Sequence, residues 1–238
     1  MFKSKSIAVD GVVAAWPICL GYIPIGLAFG VLAQKAGLGP WEIFLMSLLV
    51  FAGSSQFIAV SMLDCGAASA SIILTTFTVN LRHLLMSSAL AVYFTKSSRN
   101  KLGLLAYGVT DESFAVNYSR LKAGEWDIER SLVLNYTANM IWIISTVAGG
   151  FGGQFIPAGA FGIDYALPAM FICLLVFQLN GQKYLFVAML SGVLAVFLSL
   201  VLPGNMYIVA ASIFSATCGT ILKRFFEKKS LKGRANGQ

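Results

Sequence analysis

The stretch "TVNLRHLLMSSAL", Thr78 to Leu90, sets a fixed positive charge beside the one side chain that titrates near neutral pH. Arg82 and His83 are adjacent, and His83 is the only histidine in the chain. On a helix, Thr76, Asn80, His83 and Ser87 follow i, i+4, i+7 and i+11, which makes one polar stripe. Arg82 lies about 100° away from His83, nearer Thr78. A charge at a bilayer centre costs about 2.5–3.5 kcal/mol on insertion scales, so Arg82 needs a partner or a position near the interface. Asp111 and Glu112, in "TDESFAV", are the other charges inside an apolar segment and the natural partners. Asp64 is a weaker third choice. His83, Asp111 and Glu112 are therefore the candidates for carrying a proton.

Two further stretches could offer polar groups from broken helices. "GYIPIGLAFG" (Gly21–Gly30) places Pro24 inside an apolar run, where a missing N–H and a steric clash predict a kink or a break. Gly26 and Gly30 form a GxxxG pair that allows two helices to approach closely. "FAGSSQF" (Phe51–Phe57) puts Gly53, Ser54, Ser55 and Gln56 in the middle of an uncharged run. A helix break near Gly53 would present backbone groups and hydroxyls to a polar ligand. The plainer alternatives are a packing kink at Pro24 and ordinary interhelical hydrogen bonds at the serines and Gln56. Candidate ligand-binding residues are thus Pro24, Gly26, Gly53, Ser54, Ser55, Gln56, Asn80 and Arg82.

The setting for these residues is a membrane. Of 238 residues, 58% are hydrophobic and only 11% charged, too few charges to cover a soluble domain. No charge occurs in 11–34, 43–63, 65–81, 131–163, 165–182 or 184–222. A spanning helix needs about 20 mainly apolar residues, so most of these runs suffice. They are continuously apolar rather than alternating, which excludes a β-barrel. The net charge of +7 does not point to nucleic acid, because six of the 17 basic residues follow Thr220 in the tail 223–238. Such a tail reads as a cytoplasmic anchor. Cys19, Cys65, Cys173 and Cys218 are scattered without a CxxC pair, so neither a disulfide nor a metal site is implied. No cofactor motif is present. The first apolar run is too long for a signal peptide and lacks a small-residue cleavage site.

The predicted fold is all-α: a polytopic bundle with helices at 12–34, 42–63, 67–95, 131–156, 165–181, 184–202 and 205–222, forming a single transmembrane permease domain over 1–238. The segment 102–119 is ambiguous, because Asp111 and Glu112 interrupt it. Counting back from a cytoplasmic tail puts the basic linkers 96–101 and 120–130 on the same side. The segment between them then dips in and returns, giving seven spans with the N-terminus outside. The alternative has eight spans with the N-terminus inside. "LLVFAGSSQ" (Leu48–Gln56) resembles "LLVFQLNGQ" (Leu174–Gln182), which suggests repeat halves 12–95 and 131–222. In the seven-span arrangement these halves are inverted, a common plan for secondary transporters with broken helices.

On "GYIPIGLAFG", "FAGSSQF", "NLRHLLMS" and "TDESFAV" the chain resembles the AzlC-like family, the large subunit of branched-chain amino acid exporters. The motifs cover about Gly21 to Asn117; the second half matches in length and pattern. The resemblance implies an inner-membrane permease exporting valine, leucine and isoleucine, with methionine a further candidate. It also implies coupling to the proton motive force and a small hydrophobic AzlD-like membrane subunit as partner. It carries over no functional residue.

A zwitterionic substrate needs a cationic or helix-N-terminal site for its carboxylate and an acidic or carbonyl site for its ammonium. The breaks near Pro24 and Gly53, with Arg82 and Asp111 or Glu112, could supply both. A passive channel is the nearest rival. An intramembrane hydrolase, with Ser54 or Ser55 as nucleophile and His83 as base, has the right residue types but no GxSxG elbow.

Overall fold

The computed structural model describes residues 6–124, 126–156 and 182–201, with isolated positions at 162, 165, 168–169, 172, 175–176, 211, 214–215 and 217–219. Among these residues every regular element is helical. Eight α-helices are defined: α1 (Ile7–Lys35), α2 (Pro40–Leu49), α3 (Gly53–Asp64), α4 (Ser69–Ala91), α5 (Arg99–Tyr107), α6 (Asp111–Lys122), α7 (Ile128–Gly153) and α8 (Gln182–Ser199). A single 3-10 turn, Val92–Phe94, extends α4. Met1–Met170 and Phe171–Gln238 form separate units. In the second, a Cβ at Gly219 would come within 2.9 Å of Val187, so small size there lets the chain pack on α8. Most of the predicted helices 165–181 and 205–222 and of the turn in "QLNGQ", and all of the tail 223–238, lie outside the described residues.

The first unit is organised by α1 and α7, which lie side by side in the same direction. Arg130 Nε donates to Asp10 Oδ2 at 3.0 Å near the start of both helices. A Cβ at Gly26 would lie 2.7 Å from Ser145 Cβ. One at Gly30 would lie 2.0 Å from the Thr146 carbonyl oxygen and 2.5 Å from Gly150 N. One at Gly153 would meet Gln34 at the far end. Positions thus match from start to finish, and the glycines let the two backbones touch. The expected inversion between 12–34 and 131–156 is not what these contacts give; the two helices run parallel. Pro24 does not break α1, which runs unbroken through both Pro17 and Pro24. Proline removes one ladder bond, but neighbouring turns keep the rest of the helix.

Two segments read as one apolar run each are instead pairs of half-length helices. The predicted helix 42–63 divides at 50–52, where Phe51 takes φ +35°, a left-handed conformation that costs a side-chain-bearing residue about 1–3 kcal/mol. The 10 residues of α2 and 12 of α3 make rods of only about 15 and 18 Å, too short to cross a bilayer. Side-chain pairs fix their direction. Gly150 would meet Ile43, and Ser47 bonds Thr146, so α2 descends along α7 from its far end. Gly53 sits against Trp142, and Phe57 packs on Phe29, so α3 climbs back. The first hairpin therefore enters from the far end, turns near mid-height and leaves on the same side. The predicted full span at 42–63 is corrected accordingly.

The ambiguous segment 102–119 does dip and return. Lys101 pairs with Glu129, Gly108 packs on Asn135, and Leu121 and Ile128 share a core with Leu90 and Phe94. Hence α5 rises from the near end, turns at 108–110, and α6 descends again. Between the hairpins, α4 runs antiparallel to α7 and ends beside its start.

The result is an inversion at a spacing absent from the sequence motifs. α1, α2 and α3 are repeated upside down by α4, α5 and α6. Gly53 and Asp64 bound α3; Asp111 and Lys122 bound α6; the offset is 58 at both ends (111 less 53, 122 less 64). The glycine seam is directly testable. Gly30→Ala should lower stability in detergent by about 1–3 kcal/mol through overpacking. Gly21→Ala, with nothing within 4 Å of its Cβ, should leave the melting temperature unchanged or slightly raised.

Candidate functional site

The two hairpin tips meet where α4 passes between them. Tyr107 at the end of α5 donates its hydroxyl to the carbonyl of Leu48 in α2, and its ring lies 6.4 Å from that of Phe51. A half-helix that ends inside the bundle leaves carbonyls without ladder partners, and each must be satisfied there. The Asn135 amide donates to the Leu105 carbonyl at 3.4 Å, and the Tyr136 hydroxyl to the Leu104 carbonyl at 3.5 Å. This explains why polar side chains on α7 are buried at the level of the tips.

Arg82 is the charged element of this junction. Its Nη1 is 2.7 Å from Asp111 Oδ2 on α6, and its Nη2 donates to the Ser54 hydroxyl on α3. Asn80, half a turn earlier, accepts from Ser55. One helix thus holds the first turns of both returning half-helices. The Arg82 and Asp111 side chains are 31% and 28% exposed, so the pair remains accessible. Arg82 Nε is buried without a hydrogen-bond partner.

The two half-helix starts differ in kind. α6 is closed by a capping box: Thr110 accepts from Ser113 N at 3.3 Å, and Ser113 Oγ accepts from Thr110 N at 2.9 Å. Asp111 and Glu112 then place two carboxylates in its first turn, where the positive helix end favours them. α3 starts at Ala52, whose side chain cannot cap. Its first N–H groups stay unused by any side chain, beside Arg82. An anion-seeking start and an anion-bearing start are therefore joined through a single guanidinium.

The predicted residues divide by this geometry. Arg82, Asp111, Ser54, Ser55 and Asn80 come together. Glu112 joins from the same turn, accepting from the Tyr22 hydroxyl at 2.8 Å. Gln56 is fully buried; its amide donates to Ser47 Oγ at 3.2 Å and its carbonyl accepts from Trp142 Nε1 at 2.9 Å, so it locks helices together. Gly53 gives room to the Trp142 ring, and Gly26 belongs to the glycine seam. Pro24 is exposed on α1. His83 makes no hydrogen bond or ion pair among the described residues. Of its stripe, Thr76 and Ser87 bond back to their own helix, and only Asn80 reaches a neighbour. A serine–histidine pair is absent: Arg82 and Asn80 engage the two serines instead.

Several participants carried no sequence signal. Tyr22 sits in an aliphatic run two residues before Pro24, yet its hydroxyl reaches Thr110 and Glu112, both at 2.8 Å. Asn117 donates to Asn135 Oδ1 at 2.9 Å and accepts from Trp126 Nε1 at 2.9 Å. The asparagines of α7 recur at Asn135 and Asn139, one turn apart, and that spacing within an uncharged run could have flagged a polar face.

Apolar side chains cover the outside of α1 and α4, among them Val13, Trp16, Leu20, Ile73, Phe77 and Leu85. α1 and α7 are both long and apolar enough to span a bilayer. With charge found at the ends of the unit and, between them, at a junction of half-helices, the class is a helical membrane protein built around a polar centre. The AzlC protein family model matches residues 17–156, more than half of the chain, and the chain belongs to that family. The inner membrane protein YgaZ of Escherichia coli K12 is 31% identical over 195 residues, covering 79% of this chain and 80% of that protein. The branched-chain amino acid transport protein AzlC of Bacillus subtilis 168 is 26% identical over 216 residues, covering 89% and 84%. A membrane protein of Archaeoglobus fulgidus is 31% identical over 207 residues, covering 85% and 90%. No solved structure matches.

A double-mutant cycle measures the central pair. Arg82→Ala or Asp111→Ala alone strands the other charge and should lower stability in detergent by about 1–3 kcal/mol. The double variant should lose less than the two single losses combined. Strict additivity in the melting temperatures would show that the contact contributes nothing.

Proposed function

We infer that this chain is the large subunit of a secondary transporter that exports branched-chain amino acids such as valine across the inner membrane. Family membership supports transport. The observation that carries the substrate class is the charge-split pair of half-helix starts. The α-carboxylate would replace Asp111 at Arg82 and take up the free N–H groups of α3. Asp111, once released, would face the α-ammonium. The aliphatic side chain would rest on Phe51 and its apolar surroundings at the tip. The proton motive force supplies the drive, through the carboxylates of the same centre. A small AzlD-like membrane subunit is the expected partner.

Orientation follows from charge. The near end of the unit carries Lys96, Arg99, Lys101, Arg120, Lys122 and Arg130, and Lys3 and Lys5 precede α1. The far end carries Lys35 with Glu42 and Asp64. The positive-inside rule makes the near end cytoplasmic. α1, α4 and α7 then cross while both hairpins return. If the apolar runs 165–181, 184–202 and 205–222 each cross, the total is six and the C-terminus is cytoplasmic as well. The N-terminus, which the seven-span count put outside, is then cytoplasmic together with Lys3 and Lys5.

A passive channel would not need an ion pair bridging two half-helices, and saturable, gradient-dependent flux separates the two. The test is efflux of valine from loaded cells expressing the chain with and without its small partner. Asp111→Asn should reduce efflux at least tenfold while the protein still reaches the membrane; wild-type efflux in that variant overturns this role for Asp111. Orientation is checked with single cysteines in a background lacking the native ones. Asn100→Cys should react with an impermeant maleimide only after the cytoplasmic face is opened, and Gly66→Cys should react from outside intact cells.

A further inference from the structure

The polar centre contains two acids but only one base in contact with them. Asp111 takes the guanidinium of Arg82. Glu112, the next residue, has no cation in ion-pair contact among the described residues; its partner is the Tyr22 hydroxyl, 2.8 Å away on α1. The Thr110 hydroxyl lies 2.8 Å from the same tyrosine oxygen. The groups around Glu112 are few. From α1 comes Tyr22; from α4 come Arg82, already committed to Asp111, and His83, within electrostatic range; from α6 itself comes Asp111. The charged residues of α5 and α7 lie in the near-end turns, Lys101 with Glu129, Arg130 with Asp10 and Asp127, and Arg99 as the first residue of α5. Among the described residues Glu112 is therefore left without an ion-pair partner, and one added proton removes its charge.

The repeat gives this contact a counterpart. Tyr22 of α1 reaches the start of α6, as Asn80 and Arg82 of α4 reach the start of α3. The offset of 58 carries position 22 onto 80 and position 54 onto 112. The start of α3 is thus met from α4 by the Asn80 amide and the Arg82 guanidinium, whereas the start of α6 is met from α1 by a neutral hydroxyl alone, at the position that corresponds to Asn80. A cation holds an anion; a neutral hydroxyl bonds a carboxylate or a carboxylic acid equally well, because it both donates and accepts.

We propose that Glu112, held by Tyr22 and Thr110, is the proton-carrying site of the transporter, separate from the Arg82–Asp111 pair that meets the substrate. This rests on the export reading above. In the ionised state Tyr22 donates to the carboxylate while Thr110 donates to Tyr22. When a proton from one side of the membrane binds Glu112, the acid O–H donates to the tyrosine oxygen, and Tyr22 turns its own O–H to Thr110. Release to the other side reverses these bonds. Only the carboxyl O–H bond forms and breaks, so one proton moves per cycle.

The experiment uses membrane vesicles containing the full chain with its small partner and radiolabelled valine. Two quantities are measured: accumulation driven by an imposed pH gradient, and valine–valine exchange with no gradient. Glu112→Gln should abolish gradient-driven accumulation, by at least tenfold, and keep exchange within about twofold of wild type. Tyr22→Phe should keep both, but shift the pH midpoint of gradient-driven transport upward, since losing a donor to the ionised acid favours its protonated form. Asp111→Asn should lose both activities. Retention of gradient-driven accumulation by Glu112→Gln overturns the proposal. So does equal loss of exchange in a variant that is present in the membrane, because the role would then lie in binding. Absence of exchange in the wild-type vesicles defeats the export reading itself, and the proposal with it.

Discussion

Everything in the first unit depends on ending four helices in the interior. A backbone that stops at mid-membrane exposes N–H and C=O groups where no water bonds them freely. The chain meets this requirement with side chains rather than with a longer helix. Tyr107, Tyr136 and Asn135 take the ending carbonyls; Thr110 and Ser113 close one start; Arg82 stands beside the other. Arg82 is the hinge of the scheme because its guanidinium bonds to both hairpins, at Ser54 and at Asp111. Its charge is tolerable there only because Asp111 faces it, and Asp111 is favourable there partly because it begins a helix.

The support for that junction comes from a different physical source. α1 and α7 approach so closely that a methyl group at Gly30 or Gly149 would strike backbone atoms of the other helix. Close contact of this kind gains dispersion and loses little side-chain entropy, which is how helices associate when lipid removes the hydrophobic drive. Trp142 then fills the space left by Gly53, stacks near Phe29 and donates to Gln56. A rigid pair of spans thereby sets the height at which the first hairpin turns. Ser47, Gln56 and Thr146 complete the buried polar contacts of that wall.

The same device, used twice in opposite directions, leaves the two hairpins chemically unequal. The first offers an uncapped start and hydroxyls; the second offers two carboxylates and a capped start. A symmetric scaffold with an asymmetric charge is what distinguishes the ends of a zwitterion. It also gathers the basic linkers 96–101 and 120–130 and the start of α1 at one end. The seven-span count had separated the N-terminus from those linkers because it treated 42–63 as one crossing.

The amino-acid sequence by itself determined the class and the chemistry. Continuously apolar runs of membrane length require helices, because the backbone must be satisfied in lipid and the alternation of a barrel strand is missing. The isolated charges at Arg82, Asp111 and Glu112 had to find one another for the same reason. The break near Gly53 and the returning segment at 102–119 were legible from Gly, Ser and acid residues where helices lose propensity. What only the tertiary structure decided was direction and partnership. Apolar periodicity does not record whether a run crosses or turns back, so the hairpin at 42–63 and the parallel course of α1 and α7 stayed hidden. The repeat at 58 residues was equally invisible, since it is a likeness of helix lengths and contacts rather than of side chains: Gly53–Ser54 in one copy stands where Asp111–Glu112 stands in the other. Tyr22 gave no warning at all. A tyrosine in an aliphatic run becomes a partner for Glu112 only when another helix begins beside its hydroxyl.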